Sequence, residues 1–177
     1  MRIAALFCVA LLVPGVCVAG NVDNPEYKAW SKFGVGSMVE YKVQSEAAGT
    51  KTESTMTTTL VEKTDEKIVL ETKTKMVVAG NEMTMPAQKR DVPATIDQPE
   101  GQGDGPEATE GKEDVEAAGK TLSCKTTETV NESNGMTTTS KVWQCADVPG
   151  GMVKMTSSTE GSVSSVTEMN LVKMEAK

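Results

Sequence analysis

From Met38 onward, apolar and polar residues alternate with a period of two. Val39, Tyr41 and Val43 stand between Glu40, Lys42 and Gln44, the signature of a strand with one buried face. Thr52 to Glu62 is rich in threonine, which suits a pleated, partly buried surface. Ile68, Leu70, Thr72, Thr74 and Met76 then share one face, opposite Glu71, Lys73 and Lys75. Ala47 to Thr50 and Thr64 to Glu66 are turn segments between these runs. Gly80-Asn81 fits a two-residue hairpin turn that sets Met76 against Met85 and Val78 against Met83. Pro86 and Pro93 close this set, because proline has no N–H to give a ladder. Ahead of the strands the period changes. Tyr27, Trp30 and Phe33 recur at helical spacing, with Asn24 as N-cap, Pro25 in the first turn and Gly34 as a stop. This predicts a helix over Pro25 to Phe33 that lays its aromatic stripe on the sheet.

Thr121 to Ala146 reads as a hairpin about Asn134-Gly135, since a type I′ turn needs φ > 0 at both central positions. That turn opposes Ser133 to Met136, Glu128 to Lys141 and Cys124 to Cys145. Counting outward, the two cysteines fall on a non-hydrogen-bonded pair, with Cα atoms about 4.5 Å apart. This lies at the short end of what a disulfide spans. Leu122, Cys124, Trp143 and Cys145 line one face. Pro149-Gly150-Gly151 turns the chain into Met152 to Thr159, and Glu160-Gly161 leads on to Ser162 to Met174. In that last run Thr167, Met169 and Leu171 favour one inward face, whereas Val166 and Val172 favour the other. A bulge near Ser164-Ser165 would reconcile them. About eight short strands with regular turn signals indicate an all-β domain: a curved antiparallel meander or open half-barrel with a short N-terminal helix.

Composition adds a compartment. Arg2, the apolar run Ile3 to Val13, the break at Pro14-Gly15 and small residues up to Gly20 make residues 1–20 a secretory signal peptide. The run is too short for a transmembrane helix. A secreted or periplasmic chain is expected, the alternative being a lipid anchor on Cys17. Cleavage leaves Cys124 and Cys145, an even number in an exported chain, and the expectation is a disulfide rather than two buried thiols. Residues 21–177 then form a single β domain. The chain's net charge of −7 resides almost wholly in Asp97 to Glu116, where eight acids face Lys112 alone. With its glycines and prolines, segment 97–116 is expected to be a disordered acidic loop between two four-strand halves. No basic patch invites nucleic acid.

Candidate chemistry is sparse. The chain has no histidine, so Ser-His, Cys-His and His-metal constellations are excluded. No glycine-rich phosphate loop precedes a helix, and the strand glutamates alternate with apolar residues on solvent-facing positions. The expected role is non-catalytic, without a cofactor. Met56, Met76, Met83, Met85, Met155 and Met169 are placed on the inner sheet face, a flexible thioether surface able to hold an apolar small molecule or lipid. The bland alternative is ordinary core filling. A sharper one is a Cu(I) site at Met83 and Met85, since soft thioethers suit that ion.

The stretch Val35-Gly36-Ser37-Met38-Val39-Glu40-Tyr41-Lys42-Val43, and Val148-Pro149-Gly150-Gly151-Met152-Val153 after a Trp-bearing strand, resemble uncharacterised exported bacterial β-rich proteins. A helix leading into one curved sheet is also similar in shape to the half-barrel of periplasmic lipoprotein carriers. That resemblance implies an apolar concavity for acyl chains. The chain departs from it in having few aromatics and no clear lid helices.

Overall fold

The computed structural model describes residues 21–78, 81–97, 108–133, 135–161 and 164–177. Residues 1–20, the expected signal peptide with Cys17, lie outside the described residues. In chain order the elements are β1 (Asn21–Asp23), α1 (Pro25–Ser31), β2 (Met38–Ala47), β3 (Thr50–Lys63), β4 (Lys67–Val78), β5 (Asn81–Thr84) and β6 (Gln88–Pro93). They continue with β7 (Thr95–Asp97), β8 (Ala108–Ala117), β9 (Lys120–Ser133), β10 (Met136–Gln144), β11 (Met152–Glu160) and β12 (Ser165–Glu175).

The fold is all-β. One ten-stranded antiparallel sheet runs β5-β4-β3-β2-β12-β11-β10-β9-β8, with β6 beside β5 on the outer edge of β4. Its two edges are not joined, so the sheet is open. The first meander, β2 to β6, meets the second, β8 to β12, where β12 pairs with β2. Among the described residues, that central pairing joins the segments farthest apart in the chain. The tip of the β8–β9 hairpin comes back against Leu171 and Val172 of β12, so the sheet curls.

Helix α1 begins as its sequence dictates. The Asn24 side chain accepts the N–H groups of Glu26 at 3.0 Å and Tyr27 at 3.5 Å, satisfying donors that have no partner inside the helix. The helix ends at Ser31, before the expected Phe33. Its entry is pinned by the β1–β7 pairing and by the Asn24 N–H, which donates to Ala94 O at 2.8 Å.

Several expectations need correction. Of segment 97–116, expected to be disordered, Asp97 ends β7 and residues 108–116 belong to β8, which pairs with β9 from Ala108–Thr129 to Ala117–Lys120; residues 98–107 lie outside the described residues. Acidic composition misled there because the ladder is a backbone interaction. Cross-strand ion pairs such as Glu110–Lys125 offset the charge. The strand count accordingly exceeds eight. The β4–β5 register is shifted two residues from the expected one, opposing Met76 to Met83 and Val78 to Asn81; Gly80 of the expected turn lies outside the described residues. An even shift keeps every side chain on its face. The irregularity in β12 falls at Val172, between Leu171 and Lys173, not at Ser164-Ser165. Val166 and Val172 are exposed, and Leu171 is buried.

Two hairpin turns share one tetrapeptide, Glu46-Ala47-Ala48-Gly49 and Glu116-Ala117-Ala118-Gly119. In both, alanine and glycine adopt positive φ, 49° and 77° in the first turn and 50° and 73° in the second. These are the angles a type I′ hairpin demands.

The hydrophobic core occupies one end of the sheet. Val39 and Tyr41 at the start of β2, Leu60 late in β3, and Ile68 and Leu70 early in β4 are buried. So are Leu122 and Cys124 of β9, Trp143 of β10, Val153 of β11 and Leu171 of β12. Trp30 of α1 and Val148 of the loop after β10 join the same cluster. At the opposite end the strands project as exposed or half-buried ribbons.

Tyr41 illustrates how tightly the core end is closed. Its hydroxyl donates to Met152 O at 2.8 Å, and burial raises its pKa well above the usual phenol value. The unfolded phenol ionises near pH 10. The folded state keeps its proton above that, so this contribution is full below about pH 10 and is lost as pH rises further. Tyr41→Phe should therefore show a shallower fall in stability between about pH 10 and 12 than the wild type, read by urea melts across that range. Identical slopes would contradict the assignment.

Candidate ligand-binding face

Directly opposed residues in a sheet share a face, so the registers can be read as rows across the strands. One row runs Thr127, Val142, Met155, Met169, Val43, Ser54, Met76, Met83, crossing β9, β10, β11, β12, β2, β3, β4 and β5. Met56 lies two residues from Ser54, and Met85 two from Met83. All six methionines singled out from sequence therefore occupy one face, as expected. Toward the core this face continues with Leu171 opposite Tyr41 opposite Met56.

Away from the core the face turns polar. The next row is Thr129, Ser140, Ser157, Thr167, Ser45, Thr52, a hydroxyl on each of six adjacent strands. The row after it is Asn131, Thr138, Thr159, Ser165, Ala47, Thr50. The hydroxyls bond to one another: Ser45 with Thr167 at 3.0 Å, Ser140 with Ser157 at 3.0 Å, Thr138 with Thr159 at 3.1 Å. These bonds span the β2–β12 and β10–β11 ladders. Sequence reading recorded the threonines but not these rows, because alignment across β12–β2 is a long-range property.

The six methionines do not have equal standing. Met56 and Met169 pack against the core cluster, so they are partly core filling. Met76 and Met155 are half-buried. Met83 and Met85 are exposed, at 63% and 40%, on and just beyond the edge strand β5. The hollows formed near Gln44 and Glu168, near Lys42 and Lys75, at the β8–β9 tip and at the Ala48-Gly49 turn contain no methionine. Met83 and Met85 thus stand on open surface.

The reverse face carries charge held in ion pairs. A hydrogen bond from Gln44, then contacts with Lys42, hold the Glu53 carboxyl below its ordinary pKa. A hydrogen bond from Lys154 does the same for Glu168. Trp143 lies on this side, with its Nε1–H donating to Glu113 at 2.7 Å. Lys141 Nζ and Lys154 Nζ stand 4.8 Å and 5.4 Å from a Trp143 ring centroid. Hydrogen bonds from Lys141 and then Trp143 keep Glu113 ionised below the usual range. The signal for this cluster was the Glu128–Lys141 register plus Glu113, which the reading of a disordered loop had set aside.

The hairpin register is as predicted from Met136–Ser133 to Gln144–Lys125, including Lys141 opposite Glu128. The ladder and β10 end there, so the expected Cys124–Cys145 pair lies one step beyond it, and the expected disulfide is not formed. Both are free thiols in this structure, and both are buried, at 1% and 6% exposure. Burial, and then the nearby Cys145, raise the Cys124 pKa. Among the described residues no group of three or more His, Cys, Asp or Glu is placed to hold a metal ion. Among them, too, no helix is long and apolar enough to cross a membrane.

No family model matches the chain, and no curated protein does. Among solved structures, a candidate lipoprotein from Parabacteroides distasonis is similar at 10% identity, covering 83% of this chain and 98% of that one, with a TM-score of 0.43.

Proposed function

We propose that this chain is an exported, non-catalytic binding module of the cell envelope, secreted or periplasmic, that holds an apolar ligand of the lipid class on its methionine face. The observation that carries the reading is the row of Met155, Met169, Met76 and Met83 bordered by a row of hydroxyls. Thioethers offer polarisable, adaptable contact to chains of varied shape. The hydroxyl row beside them offers partners to a polar end. Binding on an open face buries less of a ligand than a cavity does, so affinity should be modest.

Native mass spectrometry of protein purified from its own compartment tests this. Co-purified lipid, lost when Met76 and Met155 are changed to serine, supports the proposal. A bound copper ion would replace it with the Cu(I) reading at Met83 and Met85. A bare chain would leave a structural role alone.

A further inference from the structure

Cys124 and Cys145 carry an inference independent of the methionine face. In an antiparallel ladder a residue's N–H and C=O point to the same side. The Cys145 N–H donates to Gly151 O at 2.7 Å, and its carbonyl accepts from the Val148 N–H at 3.2 Å. Its backbone bonds are therefore spent away from β9. Gln144–Lys125 is the last pair of the ladder; carried one step further, its alternation would make Cys124 and Cys145 a non-hydrogen-bonded pair, the kind whose Cα atoms approach to about 4.5 Å. That separation falls within the roughly 4.4–6.8 Å a disulfide accepts.

Both cysteines lie in the buried cluster that also holds Val148 and Trp30. The loop from Cys145 to Gly151 folds back on itself and places Val148, fully buried, in the core cluster. Gly150 in turn lies under the indole of Trp30 in α1. Once loop and helix are seated, neither sulfur is open to a reagent.

We propose that Cys124 and Cys145 form a cross-strand disulfide on the β9–β10 hairpin before the Cys145–Gly151 loop and α1 close over it. The thiolate is the attacking species, and a buried thiol yields little of it, so exchange belongs to the open hairpin. The oxidant is a disulfide R–S–S–R of the exporting compartment. One cysteine thiolate attacks it, forming a mixed disulfide and releasing R–S⁻. The second cysteine gives its proton to solvent and attacks the protein sulfur of that mixed disulfide. The Cys124–Cys145 bond forms and a second R–S⁻ leaves. Two protein thiols lose two electrons, and R–S–S–R gains them as two thiols. Only the supply of oxidant rests on the exported location proposed above; the geometry does not.

The test uses the chain from residue 21 onward, unfolded and reduced, with oxidised glutathione as the probe. Added at the start of refolding, it should yield the bridged monomer, identified by mass after alkylation. Added after refolding, it should bridge the cysteines at least ten times more slowly. Equal rates would overturn the order of events. Glutathione carried singly on either cysteine, with no bridge formed, would overturn the pairing itself. The outcome is independent of ligand, so failure here leaves the methionine face untouched.

Discussion

Replacing Gly150 by alanine should destabilise the protein by about 2–4 kcal/mol. Two costs combine. Gly150 has φ +78°, a left-handed conformation that an L side chain enters at about 1–2 kcal/mol. A β-carbon built there would lie 2.7 Å from Trp30 Nε1 and 2.9 Å from Cε2, too close for either group to stay in place. Trp30 is 4% exposed and anchors α1, so Trp30→Ala should itself cost about 3–5 kcal/mol. The informative variant is the double one. With the indole gone the clash vanishes and only the backbone cost of alanine remains, so the two changes should sum to less than their separate effects. Urea unfolding of the four proteins reads this out. Strict additivity would mean that loop and helix are not in contact.

Leu70→Ala should cost about 2–5 kcal/mol, because Leu70 is fully buried and its removal leaves a cavity that the sheet fills only in part. Ser140→Ala, on the same sheet but in the hydroxyl row, should cost no more than about 1 kcal/mol, the net worth of one half-exposed hydrogen bond. The contrast expresses how stability is distributed. Strand ends near Val39, Leu60 and Leu171 carry the core, and the opposite ends are held by ladders and small hydroxyl contacts. Comparable losses at both sites would mean that the hydroxyl end is also a core.

What could be read from the chain alone was local. Asn24 caps α1 because its carbonyl reaches two N–H groups nearby in sequence, and the β9–β10 register begins at Ser133–Met136 as the Asn134-Gly135 sequence predicts, Asn134 itself lying outside the described residues. Period-two parity placed all six methionines on one side, and it survived the two-residue error at β5 because the shift was even. The long-range features were not legible. The β12–β2 pairing joins residues from opposite ends of the chain, and it alone aligns the hydroxyls of Ser45 and Thr167. β8 escaped notice because its side chains are acidic while its backbone, opposite Thr129 to Lys120, pairs like any other. The repeated Ala-Ala-Gly turns were visible, yet alanine at positive φ is a turn residue few patterns select.

The claim that ligand binding belongs to the methionine face is tested most directly by methyl NMR of the chain from residue 21 onward with carbon-13 methionine methyls, titrated with a lysophospholipid. The account predicts saturable shifts at Met76, Met155 and Met83, smaller ones at Met56 and Met169, and none at Met174, which packs against the core beyond the bulge in β12. Shifts absent from that row, or equal at Met174, would contradict it.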